Sequence, residues 1–161
     1  MDTDYAWAAG FIDGEGTITL KRYKSHYTTR KIHYQPYVCL GQANYDGHYE
    51  AVRHLQKLFG GSLSTWKNKP PREETLSWVV VSRQAVDCLK KIRPYLIAKS
   101  KHADLLISYY ETAGLRKSYR ITDEELAKRE KIWSKMRSMN QKGKLHLQRL
   151  SEIPPKGDAI V

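Results

Sequence analysis

Ala8-Ala9-Gly10-Phe11-Ile12-Asp13-Gly14-Glu15-Gly16 is the stretch from which the rest of the chain can be read. On its amino-terminal side Tyr5, Ala8, Ala9 and Ile12 recur at helical spacing, and Asp2, Thr3 and Asp4 offer acceptors for the free N–H groups of a first turn. A helix is therefore predicted over 4–13, ending in Gly14-Glu15-Gly16. On its carboxyl side the period changes to two. Ile18 and Leu20 alternate with Thr17, Thr19, Lys21 and Tyr23, as a half-buried strand requires. Asp13 and Glu15 thus stand at the carboxyl end of a helix, where the macrodipole opposes negative charge by roughly 0.3–1 kcal/mol per group. A cation is expected there to offset it.

Further along, Val38 and Leu40 face inward on a return strand while His33, Gln35 and Tyr37 face out, which makes a first hairpin with a polar tip over 24–31. Val52, Leu55, Leu58 and Phe59 mark a helix over 49–59, stopped by Gly60-Gly61. A second hairpin follows over 62–81, with Leu63, Trp78 and Val80 inward and a Pro70-Pro71 connection that excludes regular strand. Helical spacing returns over 84–92, is interrupted at Pro94, and resumes over 98–112. The order is αββαββα, an α+β fold. Thr122-Asp123-Glu124-Glu125 fits a capping box and opens a charged helix to about Asn140; beyond Gln141 the tail is basic, contains Pro154-Pro155 and is expected to be mobile. The division expected is a core over 1–115 and a basic helix and tail over 116–161, either part of the same domain or a flexible extension.

Lys and Arg outnumber Asp and Glu by 28 to 17 in 161 residues, a formal charge of +11, and 40% of side chains are apolar. That is enough for one core, and the charge points to an anionic partner. Nucleic acid is favoured over membrane, because apolar runs such as Trp78-Val79-Val80-Val81 are of strand length. Cys39 and Cys88 have no partner spacing for a disulfide framework or a zinc site. The acidic start, Met1-Asp2-Thr3-Asp4, has the wrong charge for a secretory or transit signal. An intracellular protein is expected, with organelle (chloroplast or mitochondrion) and prokaryotic cytoplasm left open.

The quoted stretch resembles the LAGLIDADG signature of intron- and intein-encoded endonucleases and some RNA maturases. The small residues, the apolar pair, Asp13, the acid at Glu15 and both flanking glycines match in register, with Ala8 where Leu is usual and Glu15 where Asp is usual. The αββαββα order, Gln42, Phe59-Gly60-Gly61 and Arg93-Pro94-Tyr95-Leu96 followed by Lys99 extend the likeness over most of the chain. A divalent metal would meet the cation requirement at the helix end and supply Lewis-acid chemistry to a phosphodiester. Mg²⁺ takes one or two carboxylates plus waters and phosphate oxygens, so Glu15 alone is a sufficient side-chain ligand. The resemblance implies Mg²⁺ or Mn²⁺, with Ca²⁺ as a non-activating substitute. It also implies a Gly14 carbonyl contact to the metal, a structural role for Asp13, water ordering by Gln42 and charge stabilisation by Lys99, with Lys101 as the fallback.

Ala6, Ala9, Gly10 and Asp13 recur at spacings of three and four, a small-residue stripe that admits another helix. One signature per chain implies that this helix comes from a second copy, so a homodimer is expected to set two Glu15 side chains side by side, one per strand of DNA. The polar faces of both hairpins, forming a saddle-like sheet by resemblance, are the expected readers of a long, pseudo-palindromic duplex. In the first hairpin these are Thr19, Lys21, Tyr23, Lys24, Arg30, His33, Gln35 and Tyr37. In the second they are Ser64, Trp66, Lys67, Lys69, Arg72, Thr75 and Ser77. The reading is a site-specific, Mg²⁺-dependent double-strand DNA endonuclease. Two alternatives stay open: an RNA maturase that binds intron RNA without cutting, and a non-catalytic DNA-binding regulator.

Overall fold

A computed structural model describes residues 2–24, 32–43, 48–67, 74–114 and 121–141. The helix α1 (Asp2–Glu15) runs directly into strand β1 (Gly16–Lys24), which pairs antiparallel with β2 (Ile32–Ala43). Then come α2 (His48–Phe59), β3 (Ser62–Trp66), β4 (Thr75–Val81), α3 (Ser82–Ile92), a 3-10 turn (Arg93–Tyr95), α4 (Ser100–Tyr109) closed by a π turn (Tyr110–Gly114), and α5 (Asp123–Asn140). The αββαββα order is therefore present, followed by two further helices, α4 and α5. Among the described residues no helix is long and apolar enough to cross a membrane.

The strands form one antiparallel sheet in the order β1-β2-β4-β3. The register makes two faces. Ile18, Val38 and Val80 share one row, and Gly16, Leu40, Trp78 and Leu63 the next; the apolar side chains of β1, β2 and β4 in these rows are buried under the helices, and Leu63 packs partly against them. Ala8, Ala9 and Ile12 of α1, Val52 and Leu55 of α2, and Leu89 and Ile92 of α3 complete that layer, all at 0% exposure. Trp78 is its largest member and donates its indole N–H to the Gly60 carbonyl at 2.8 Å. Gly60 and Gly61 have φ of 71° and 91°, and a Cβ on Gly61 would lie 2.5 Å from the Val79 carbonyl. Both the positive φ and the lack of space require glycine where α2 gives way to β3.

Three boundaries differ from the sequence pattern. Glu15 belongs to α1 rather than to a turn after it, and α3 starts two residues earlier, at Ser82. The helix expected over 98–112 begins only at Ser100, because the N–H groups of residues 97, 98 and 99 bond to the Asp13 carboxylate. The α5 helix packs on the core: Met136 is fully buried, Ile132 and Trp133 pack against the core, and the Thr122 hydroxyl caps the helix by accepting from Glu125 N at 3.3 Å. The tail beyond 141 lies outside the described residues.

Candidate active site and nucleic-acid interface

The site is built where α1 becomes β1. Gly16 permits this without a loop, since a Cβ there would stand 2.8 Å from the Ile12 carbonyl oxygen and 2.9 Å from Ile12 Cα. Asp13 faces back into the protein. Its Oδ2 accepts from Ile97 N at 2.7 Å and Ala98 N at 3.0 Å, and its Oδ1 from Lys99 N at 2.9 Å. Burial pushes the Asp13 carboxyl up, but these three hydrogen bonds together with the Lys99 charge outweigh it and hold the group below the ordinary carboxylate range. Lys99 reaches the other way. Its ammonium, on a side chain from a residue 8% exposed, donates to the Ile12 carbonyl at 2.9 Å and to the Asp13 carbonyl.

Asp13 and Lys99 therefore clasp the end of α1 against the start of α4. The cation that the helix dipole calls for is supplied from within the chain by Lys99, and the Asp13 charge is met by N–H groups. The Lys99 ammonium thus bonds to the last carbonyls of α1. Glu15 is what the clasp leaves over. It is exposed, no described residue pairs with it, and Gly14 before it is exposed with nothing within 4 Å of a notional Cβ.

Gln42 lies two residues past Leu40, the register partner of Gly16, and pairs with Leu76. It shares the alternation of Val38 and Leu40 and is half-buried at the end of the sheet where α1 enters. No hydrogen bond joins it to Glu15 among the described residues. Lys101 is exposed in the first turn of α4.

The opposite face of the sheet carries Cys39, Val79 and Val81 near its middle and is otherwise largely polar, with its members in pairs. Thr19 is opposite Tyr37, Lys21 opposite Gln35, Tyr23 opposite His33, Ser64 opposite Ser77 and Trp66 opposite Thr75. Lys21 Nζ sits 3.4 Å above the Tyr37 ring centroid, Tyr23 stacks on His33 at 5.4 Å, and Gln35 Nε2 donates to Ser82 Oγ at 3.0 Å. Trp66 and Tyr23 are 63% and 45% exposed, so both rings are open on this face. Lys24 requires a correction: it pairs with Ile32 and by strand alternation falls with Leu20 and Arg22 on the other face. Lys67 is exposed just past β3. Arg30, Lys69 and Arg72 lie outside the described residues.

The outer stripe of α1 also needs correcting. Ala9 is fully buried in the chain's own core, and Asp13 is committed to residues 97–99. The small residues left exposed are Ala6, Gly10 and Gly14, four apart, flanked by Trp7 at 39% and Ile97 at 87% exposure. Sequence reading missed Trp7, although its position one residue from Ala6 and three from Gly10 was a signal. Ile97 sits in an irregular turn and carried none.

Residues 8–111 match the model of the LAGLIDADG endonuclease family, and the chain belongs to that family. Solved structures of the same fold include the homing endonuclease I-CvuI in complex with its target in the presence of 2 mM Ca, with a TM-score of 0.70 and 19% identity over 86% of this chain and 82% of that one. The archaeal intron-encoded homing endonuclease I-Vdi141I, complexed with DNA, has a TM-score of 0.69 and 17% identity over 88% and 87% of the two chains. The homing endonuclease I-TnaI has a TM-score of 0.59 and 23% identity over 96% and 100%. No curated protein sequence matches the chain.

Proposed function

We propose that this chain is a site-specific double-strand DNA endonuclease that works as a homodimer and hydrolyses one phosphodiester per subunit with a divalent metal. One observation carries the reading: among the described residues at the junction of α1 and β1, Asp13 and Lys99 are satisfied internally and Glu15 is left without a partner. An exposed, unpartnered carboxylate at a helix carboxyl terminus is electrostatically unfavourable unless a cation joins it. The available donors there, the Glu15 carboxylate and the Gly14 carbonyl, are hard oxygens. Among the described residues no cluster of three or more His, Cys, Asp or Glu forms a complete protein cage. Few carboxylates with room for waters and phosphate oxygens is the donor set that suits Mg²⁺ or Mn²⁺, with Ca²⁺ able to occupy such a site. When bound, the metal supplies Lewis-acid stabilisation of the phosphoryl charge and lowers the pKa of a water.

The chain's own residues fix where this happens. Asp13 and Lys99 hold the last turn of α1 against residues 97–99, so Glu15 is presented from a braced helix end. The Lys99 ammonium also adds positive potential under that end, which favours phosphate approach. Gln42 has the amide chemistry to order a water at the margin of the site. The paired readers Lys21–Gln35, Tyr23–His33 and Trp66–Thr75 supply donors, acceptors and ring faces for the major groove. Ala6, Gly10 and Gly14 let a second α1 approach closely, which would bring the two Glu15 residues together, one for each strand.

Support for the duplex as substrate comes from family membership, from the excess of Lys and Arg over Asp and Glu, 28 to 17, and from the DNA complexes among the structures of the same fold. The test is cleavage of a plasmid library carrying randomised duplex inserts, with Mg²⁺. The proposal expects a double-strand break at one long, near-palindromic sequence; binding of nucleic acid without any break would refute it.

A further inference from the structure

The outward readers of the first hairpin are interleaved with inward residues, and two of those inward residues converge on one carboxylate. Arg22 and Tyr34 are register partners, lying between the Lys21–Gln35 and Tyr23–His33 pairs. Both reach Glu130 of α5: Arg22 Nε donates to Glu130 Oε2 at 3.1 Å, and the Tyr34 hydroxyl donates to the same oxygen. The Arg22 guanidinium also lies 5.2 Å from the Trp133 ring centroid. Two turns further along α5, Asn140 Nδ2 donates to the Ile18 carbonyl at 3.1 Å, on the free edge of the sheet. The family match ends at Glu111, before α5 begins.

From these contacts we infer that Glu130 is a positioning residue that sets the pose of the first DNA-reading hairpin from behind, with α5 as its strut. This rests on the proposed reading of the opposite face as a duplex-binding surface. A two-stranded ribbon that projects beyond its sheet is free to twist and slide in register unless its back is tied. Here the tie is a charge-assisted fork, one carboxylate oxygen accepting from a guanidinium and a phenol on adjacent strands, which locks the two strands to each other and to α5 at once. Because the readers alternate with Arg22 and Tyr34, a shift of the fork moves Lys21, Tyr23, His33 and Gln35 together. Glu130 never meets the duplex itself, so its effect falls on discrimination among sequences rather than on the bond-breaking step.

The 161-residue chain and two variants, Glu130→Gln and Tyr34→Phe, test this by amide hydrogen exchange in the free protein and by selection from a randomised duplex library with Ca²⁺. Both variants should speed exchange at residues 21–24 and 32–35 by about fivefold, the factor that one net hydrogen bond represents, with β3 and β4 unchanged. In the selection, base preference should fade only at the positions that a Tyr23→Ala control also blurs. Cleavage of the preferred duplex at saturation should keep its wild-type rate while the concentration needed for half-saturation rises. Unchanged exchange, or exchange accelerated evenly over the whole sheet with equal loss of affinity for every duplex, would overturn the assignment. A wild-type chain that selects no sequence would instead refute the proposed function, and the exchange arm would still decide the strut.

Discussion

Replacing Asp13 by Asn leaves the shape of a side chain that accepts three main-chain N–H groups but removes its charge and one acceptor. In the native chain Oδ2 takes the N–H groups of Ile97 and Ala98 at 2.7 and 3.0 Å, and Oδ1 that of Lys99 at 2.9 Å. An amide can keep its carbonyl oxygen on the first pair, but its Nδ2 then confronts the Lys99 N–H donor to donor. The loss is one charged hydrogen bond and the charge assistance of two others, discounted because the carboxylate is partly solvated, so about 2 kcal/mol is expected. For a chain of this size that corresponds to a fall in melting temperature of roughly 4–8 °C. The pH dependence has a defined sign. The folded Asp13 carboxyl lies below its ordinary value of 3.8, so its contribution is complete above that pH and is lost as pH falls through the folded value. Melting curves of wild type and Asp13→Asn should therefore differ by a constant gap from neutrality down to about pH 4 and converge below it. Equal melting temperatures at neutral pH, or a gap unaffected by acid, would refute the clasp.

Gly10→Leu should leave the isolated fold intact, since nothing lies within 4 Å of a Cβ there, yet abolish the dimer in sedimentation. Ala9→Leu, at a position with 0% exposure, should instead lower stability by about 1–3 kcal/mol in denaturant titration. Lys99→Met removes the ammonium that bonds to the Ile12 and Asp13 carbonyls and so loosens the end of α1; the melting temperature should fall, and cleavage at saturating duplex should drop more than about tenfold while binding in Ca²⁺ persists, because Glu15 is less firmly held and the developing phosphoryl charge loses a nearby cation. Duplex affinity should drop by orders of magnitude between about 50 and 200 mM salt if several phosphates are neutralised, a slope read by fluorescence anisotropy.

The parts of this fold set by local periodicity are readable from one chain. The change from helical to strand spacing on either side of Gly14-Glu15-Gly16 marks the candidate site, and strict alternation puts Thr19, Lys21, Tyr23, His33, Gln35 and Tyr37 on one face, which the register then joins as Thr19–Tyr37, Lys21–Gln35 and Tyr23–His33. By the same alternation Lys24 falls with Leu20 and Arg22, away from the face that carries Lys21 and Tyr23. What the pattern does not hold is contact between segments far apart in sequence. Asp13 meets residues 97–99, and Glu130 meets Arg22 and Tyr34, through tertiary packing that leaves no periodic trace. The same holds for Ala9: a stripe of small residues has two sides, and sequence spacing does not say which side the chain's own core takes.

Strand scission by Glu15→Gln, set beside its binding of the same duplex in Ca²⁺, probes the proposed role of this carboxylate most directly. The variant is expected to bind and dimerise as wild type does but to cut at least about a hundredfold more slowly with Mg²⁺, the factor that a few kcal/mol of lost metal-borne stabilisation represents. Cutting at the wild-type rate would contradict the account, because the only acid left without a partner at the end of α1 among the described residues would then have no part in the reaction.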